Sequence, residues 1–322
     1  MVNITVVGSV NMDLIIALER LPLAGETLLG SRTTYALGGK GANQAVAAAR
    51  LGASSVLIGK VGDDAFGAQI RHNLAREGID LTYLGEATGV PTGVAVIMLV
   101  HGENTIVVAR GANDMVTPED VQHAQSAIAR SDAVLCQLEV PLTAVEAALA
   151  AGRAAGVTTI LDPAPAQRCP ETILALADYI TPNRHEARSL TGIAIEDYDD
   201  ARRAAHHLLH YVRKGVVVKL GGAGALVVEA GEEHRIEGIA VEVVDTTAAG
   251  DAFCAALGVA LAHGVAFPEA ARFANAVGAL TVTRLGAQPS LPTLAEVQRF
   301  AEARRLTLPL PGIGEWRMRG PK

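Results

Sequence analysis

Along the chain, short runs rich in β-branched residues alternate with stretches whose apolar positions recur at helical spacing. Strand patterns fall at 4–7, 55–59, 133–137, 158–161, 179–181, 216–220 and 225–228. Helical patterns fall at 43–51, 66–77, 118–129, 142–155, 201–212, 251–263 and 268–284. This alternation predicts an α/β fold: a mostly parallel central sheet with helices on both faces, a Rossmann-like three-layer sandwich. Ligands on such sheets collect beyond the carboxyl ends of the strands. That rule puts segments 8–13, 137–139, 162–164 and 245–251 along one rim, each just after a strand.

Two sections break the alternation. Residues 14–18 with 26–37, and 92–100 with 105–110, read as strands without intervening helices. They predict a small antiparallel sheet, a lid projecting from the main layer. Val94, Val96, Met98 and Val100 alternate with Ala95, Ile97 and Leu99, so both faces of this sheet are apolar. Each face then has something to cover: a ligand site on one side, another subunit on the other.

Composition narrows the class. At 322 residues and 50% hydrophobic content the chain can bury a large core, and at 3% aromatic content aliphatic packing must dominate it. The net charge of −7 argues against an electrostatic grip on nucleic acid, although a nucleotide can still be held locally by backbone dipoles and metal ions. Cys136, Cys169 and Cys254 form no Cys-x-x-Cys and read as reduced thiols of a cytoplasmic protein. No basic and apolar leader precedes the first strand pattern, and no uncharged apolar stretch reaches membrane-spanning length. The expected organisation is one domain over 1–305 and a Pro/Gly-rich extension over 306–322 that carries the only Trp, Trp316.

The most informative stretch runs from Val244 to Phe253. Strand-like Ile239, Val241, Val243 and Val244 give way to Thr246, Thr247, Ala248, Ala249 and Gly250, and Asp251 then opens a segment with Phe253, Leu257 and Leu261 at helical spacing. Small residues let helix-start N–H groups approach an anion, and those groups carry partial positive charge. A carboxylate beside a bound phosphate is repelled unless it takes a proton from an attacking hydroxyl. The pattern points to an anion hole with a built-in base; the plainer reading is a capped helix whose Asp only complements the dipole. A second stretch, Gly38-Gly39-Lys40-Gly41-Ala42-Asn43-Gln44, leads into an Ala-rich helical run ending at Gly52. Its glycines imply a backbone lying close against something, with Lys40 and Asn43 as donors at the mouth. It lacks the Gly-x-x-x-x-Gly-Lys-Ser/Thr spacing of a Walker A loop.

The chain resembles the ribokinase branch of the PfkB carbohydrate kinase family over roughly residues 2–303. Five segments carry the resemblance in order: Gly8–Asp13, Gly38–Ala45, Thr181–Glu186, Asp245–Asp251 and Arg284–Ser290. It implies a kinase that transfers the terminal phosphoryl group of MgATP to the 5-hydroxyl of D-ribose. Asp251 falls at the general base, and Ala248, Ala249 and Gly250 at the anion hole. Asn11, Asp13, Gly39, Lys40, Asn43 and Glu139 fall at sugar-binding positions. Asn183, Glu186, Lys219, Gly221, Gly224, Gly250 and Asn275 fall on the nucleotide side, with a Lys at 219 where the family commonly carries Thr. Asp245, Thr247, Thr281, Arg284, Gly286 and Ser290 match a monovalent-cation site, implying K⁺ beside Mg²⁺, partly through backbone carbonyls. The family's lid is often used to form homodimers.

The residues bear on Glu186 independently. Asn183 follows Pro182, a residue suited to a first helical turn, and i, i+3 spacing puts Asn183 and Glu186 on one face. Glu186 there either organises Mg²⁺-bound water while Asn183 meets phosphate, or only favours the helix dipole. Other kinases of this family, acting on deoxyribose, fructose or a nucleoside, share the same machinery. A nucleoside kinase needs a base pocket, and only five Phe, five Tyr and one Trp are available. A nicotinamide oxidoreductase is disfavoured because the first strand ends Gly8-Ser9-Val10-Asn11 without Gly-x-Gly-x-x-Gly. A catalytically dead sugar sensor is disfavoured by retention of Asp251 and Glu186. His206, His207 and His210 read as a solvated helix face rather than a metal site.

Overall fold

The computed structural model describes residues 1–100 and 103–309. The chain opens with β1 (Asn3–Val7), β2 (Asn11–Leu18), β3 (Arg32–Gly38), α1 (Lys40–Arg50), β4 (Ser54–Gly62) and α2 (Ala65–Arg76). It continues through β5 (Leu84–Ala87), β6 (Gly93–Val100), β7 (Glu103–Ala109), α3 (Pro118–His123), α4 (Gln125–Arg130), β8 (Ala133–Cys136), α5 (Leu142–Ala154) and β9 (Thr158–Leu161). Then come α6 (Glu171–Leu174), β10 (Tyr179–Ile180), α7 (Arg184–Thr191), α8 (Tyr198–Leu209), β11 (Gly215–Lys219), β12 (Gly224–Glu229) and β13 (Glu232–Glu237). Three helices close the described chain: α9 (Ala249–Ala262), α10 (Phe267–Thr281) and α11 (Leu294–Arg304).

The main sheet has nine strands in the order β13-β12-β11-β10-β9-β8-β1-β4-β5. Strands from β11 to β5 run parallel; β12 and β13 add an antiparallel edge. The two-residue strand period divides the core. Ile4, Val6, Leu57, Leu135 and Val217 face the side covered by α1, α9 and α10, whereas Val7, Ile58, Val134, Cys136 and Val218 face α5 and α8. Helix α9 is apolar all round and buried almost throughout, with alanines at 252, 255, 256 and 260. Its Gly258 has no room for a side chain, since a Cβ would lie 2.9 Å from Leu135. Small residues thus let α9 lie directly on the sheet, which is how a chain with few aromatics fills its centre.

The lid is a four-stranded sheet, β3-β2-β6-β7. It is mixed rather than antiparallel as expected: β2–β3 and β6–β7 are antiparallel, but the central pair β2–β6 is parallel. The main chain leaves β3 for α1 and returns to the lid after β5, so its two hairpins arrive with their first strands aligned. Asp13 pairs with Ala95 and Ile15 with Ile97, so one face presents Asp13, Ala95 and Ile97.

Three further expectations need correction. Residues 239–244 form no strand, and Val243 and Val244 are 60% and 55% exposed, so 245–251 does not follow a strand of the sheet. The segment is anchored instead by Val244 N–H and Asp245 N–H on the Val282 carbonyl, at the end of α10. Helix α9 begins at Ala249 rather than at Asp251. The expected helix over 118–129 is broken at Ala124 into α3 and α4. At the carboxyl end, Leu306 and Leu308 pack against the domain core. The rest of the expected extension, with Trp316, lies outside the described residues.

Candidate active site

The loop before α1 sets the first wall. Gly39 holds φ 88°, and a Cβ there would lie 2.6 Å from the Asn11 amide nitrogen. Only glycine lets this turn lie flat on the start of β2. Lys40 then opens α1, its N–H donating 2.9 Å to Ser9 Oγ, and Ser9 in turn donates to Glu139 Oε2. One turn on, Asn43 Nδ2 donates 2.8 Å to Asp251 Oδ2. Asn113, which the sequence reading did not single out, fixes Asn11: its Nδ2 donates 2.7 Å to Asn11 Oδ1 and its Oδ1 accepts from Val10 N–H at 2.8 Å. Asn11, Asp13, Asn43, Glu139 and Asp251 are all buried. Asn43 Oδ1 is buried without a protein partner.

The second wall is the start of α9. Ala248 takes a left-handed conformation at φ 60°, a strained choice for a residue with a side chain, and turns the chain into the helix. The Ala249 N–H bonds the Thr246 carbonyl at 3.3 Å and the Ala252 N–H bonds the Ala248 carbonyl at 2.8 Å. Among the described residues, the N–H groups of Gly250 and Asp251 meet no acceptor. Those two, rather than the whole run from Ala249, are the donors available to an anion.

Both walls open into a cleft of about 490 Å³ lined by Lys40, Asp162, Asn183, Glu186, Lys219, Gly221, Gly224, Ala248, Ala249, Gly250, Asp251 and Asn275, with Ile239, Val241 and Val243 at its apolar end. The structure therefore brings the residues expected on the nucleotide side into one space with Asp251 and Lys40. Gly224 has φ 94°, and a Cβ there would meet the Ile236 carbonyl, so the 221–224 turn stays thin along this wall. Asn183 caps α7: its Oδ1 accepts from the N–H groups of His185 and Glu186, while Glu186 Oε2 accepts from Asn183 N–H at 2.7 Å. The capping box gives both residues a structural job as well as a place on the cleft wall. Asn275 reaches the Glu237 carbonyl at 3.1 Å and braces the far rim.

Asp162, noted in the sequence only as a position on the strand rim, is central. Its Oδ1 accepts from Lys219 Nζ at 3.0 Å and its Oδ2 from Gln44 Nε2 at 3.1 Å. Gln44 is held by Gln137 Nε2 at 2.6 Å. The signal for Asp162 was its place just after β9, the same rim rule that marked 137–139; Gln44 stood at the end of the glycine-rich stretch without a role, and nothing in the sequence marked Asn113.

Charges in this space perturb one another. Burial pushes Asp251 up to about 6, Asp162 and Glu139 add to the rise, and Lys40 and the Asn43 hydrogen bond oppose it. Burial, then Glu139 and Asp251, push Asp13 up to about 7 against Lys40. For Lys40 burial works against the charge, but Asp251, Glu139, Asp162 and Glu186 outweigh it and hold the ammonium protonated. Burial raises Glu186 above the usual carboxylate range, with Lys219 opposing.

Of the six positions expected to hold a monovalent cation, Thr281 ends α10 and Ser290 lies in a 3-10 turn, while Asp245 ties its own loop to the 282–287 loop. Its Oδ1 accepts from Thr247 N–H at 2.9 Å and Oγ1 at 2.6 Å, and its Oδ2 from Gly286 N–H at 2.9 Å. Burial opposes its charge, but these bonds hold Asp245 below the usual carboxylate range. The other side chains turn elsewhere: Arg284 pairs with Glu296 at 2.7 Å, Thr281 Oγ1 bonds the Val277 carbonyl and Ser290 Oγ the Ala287 carbonyl. A cation here would rest on carbonyl oxygens. The histidines do not converge: His206 meets Glu233 and His207 packs on Tyr211.

Comparison with known proteins gives the family. A model described as pfkB family carbohydrate kinase matches residues 1–294. The ribokinase of Haemophilus influenzae is 42% identical over 301 residues, covering 93% of this chain and 98% of that one. The deoxyribokinase of Salmonella typhi is 34% identical over 300 residues, covering 92% and 98% of the two chains. The structure of Arabidopsis thaliana ribokinase complexed with ribose and ATP aligns with TM-score 0.85 at 35% identity, covering 93% of this chain and 99% of that one. Matched by the family model over most of its length and by such relatives along nearly the whole of both chains, the chain belongs to the pfkB family of carbohydrate kinases.

Proposed function

We propose that this kinase phosphorylates D-ribose at its 5-hydroxyl with MgATP, using Asp251 as general base and the start of α9 as anion hole. The observation that carries the reading is the position of Asp251. Its carboxylate is buried, bonded through one oxygen to Asn43, and shares the cleft with the unpartnered N–H groups of Gly250 and Asp251. As the sugar oxygen bonds to the terminal phosphorus, the bond to the bridging oxygen of ADP breaks and the sugar proton passes to Asp251. The two N–H groups meet the charge on the transferring group. Asn11, Asp13, Gly39, Lys40, Asn43 and Glu139 hold the sugar hydroxyls from the lid and α1 side. Asn183, Lys219, Gly221, Gly224 and Asn275 line the nucleotide side, where Ile239 and Val241 offer an apolar bed to a base.

The donor set suits a divalent cation. Asp13, Glu139, Asp162, Glu186 and Asp251 place five carboxylates in or beside this space against the two ammonium groups of Lys40 and Lys219, so a bare triphosphate is poorly matched. Glu186, on the nucleotide side, would hold Mg²⁺ through water; the ion, when bound, neutralises phosphate charge. K⁺ beside the segments tied by Asp245 follows from the likeness to ribokinases; with the Thr281, Arg284 and Ser290 side chains engaged elsewhere, backbone carbonyls would have to hold it. The lid also offers a dimer surface, with Tyr35 and Val107 each more than half exposed on the face turned away from Asp13. Free Cys136 and Cys254, both buried, fit a reducing cytoplasm.

The test is ADP release with ATP and each of ribose, 2-deoxyribose, fructose and adenosine. Ribose should give the highest kcat/KM. Preference for 2-deoxyribose, as the name of the Salmonella relative suggests for that protein, would move the substrate within the family. Turnover with none of them would reject the reading.

A further inference from the structure

The buried ion pair between Lys219 and Asp162 has a feature that a structural salt bridge does not need. Lys219 ends β11, where its backbone N–H donates to the Pro182 carbonyl at 2.8 Å and holds the strand end beside the start of α7. Its side chain is only 12% exposed and lines the cleft. An ammonium carries three donors. Among the described residues, Asp162 Oδ1 at 3.0 Å is its only hydrogen-bond partner, leaving two donors facing the cleft. A Cβ placed on Gly250 would lie 3.4 Å from Lys219 Nζ, so the ammonium sits beside the start of α9. Glu186 and Cys254 are the other titratable groups near it.

Asp162 is held from two sides. Gln44 fixes its second oxygen from α1, and Thr181 Oγ1 approaches its first at 3.4 Å. With 1% exposure it is sealed from water, and among the described residues Lys219 is the one cation bonded to it, with Lys40 acting on it from farther off.

We propose that Lys219 is a phosphate-binding cation held beside the anion hole by Asp162, and that the two residues act as one charge-neutral unit. In the nucleotide complex, Lys219 keeps one donor on Asp162 and gives the other two to oxygens of the terminal phosphates. Asp162 is a positioning residue: it touches Lys219, not the nucleotide. The inference rests on the kinase reading of the cleft and adds the group that meets the phosphates.

Calorimetric titration of the full chain with MgATP and with AMP tests it, using Lys219→Met, Asp162→Asn and the double variant. Lys219→Met should weaken MgATP binding about tenfold to a hundredfold, the range of a charge-assisted bond. AMP, which lacks the terminal phosphates, should bind each variant nearly as it binds the wild type. Adding Asp162→Asn to Lys219→Met should recover part of the loss, because the unpaired carboxylate is gone. Unchanged MgATP affinity in Lys219→Met, or an equal loss for AMP, would overturn the phosphate contact. A double variant no better than the single one would overturn the paired action. If Lys219→Met does not fold, the double variant still decides, since it leaves no unpaired buried charge and must bind MgATP more weakly than the wild type. Binding needs no sugar turnover, so failure of the ribose assay and failure of this proposal remain distinguishable.

Discussion

Asn43 Nδ2 lies 2.8 Å from Asp251 Oδ2, joining the start of α1 to the start of α9 across 208 residues of sequence. Each helix carries one half of the proposed chemistry, sugar recognition on α1 and proton acceptance on α9. The bond fixes the rotamer of the base and leaves its other oxygen for a hydroxyl. Asn43→Ala should therefore raise the ribose KM and lower kcat together, by about tenfold each for one lost hydrogen bond to a charged group. It should also move the acidic limb of the rate profile upward, since the bond favours the ionised form. Steady-state kinetics over a pH series reads both; an unchanged profile would detach Asn43 from the base.

The wild-type pH profile carries its own prediction. Asp251 stands at about 6 and Asp13 at about 7, both above the ordinary 3.8. Only an ionised Asp251 can accept a proton, so kcat/KM for ribose should climb between about pH 5 and 7 and then level. Activity that is flat from pH 5 to 8 would contradict this.

The same shifts act on stability with the opposite sense. A carboxyl raised from 3.8 in the unfolded chain to about 6 in the fold binds more protons when native, so folding stability falls as pH rises through that window. Asp251→Asn removes the buried charge and should raise Tm at pH 8, by about 2 °C for each kcal/mol, with little change at pH 4. Thermal melts of both forms without ligand check the sign. A lower Tm for the variant at pH 8 would show that the native site stabilises the charge after all.

Ala248 sets a different kind of test. Its left-handed backbone costs about 1–2 kcal/mol for a residue with a Cβ, and glycine carries no such penalty. Ala248→Gly should keep or raise Tm and retain activity, whereas Ala248→Val should lose both. Denaturation midpoints and kcat for the pair are the readout. A large loss of stability in Ala248→Gly would remove the strain from the account.

Much of this arrangement was legible in the sequence because strand and helix periods differ and because small residues mark close approach. The alternation pointed to the parallel sheet and its two interruptions to the lid, and the glycines before Lys40 and the small residues before Asp251 marked the two turns that meet in the cleft. What escaped notice was set by tertiary contact. The segment before Asp245 looked like a strand because Ile239, Val241 and Val243 alternate, yet those residues line the cleft or face solvent rather than pair in the sheet. The parallel pairing of β2 with β6 depends on where the chain re-enters the lid, which no local pattern encodes. Asn113, Gln44 and Gln137 gained their positions through buried hydrogen bonds spanning roughly a hundred residues, and amides in a sequence do not announce such partners.

The most direct measurement is the turnover of Asp251→Asn with saturating ribose and MgATP, alongside its MgATP affinity. Asparagine keeps the shape and the place of the side chain but cannot take the proton. Turnover should fall at least about a hundredfold, the scale of general-base catalysis, with MgATP affinity largely intact. A variant that phosphorylates ribose at close to the wild-type rate would contradict the central claim.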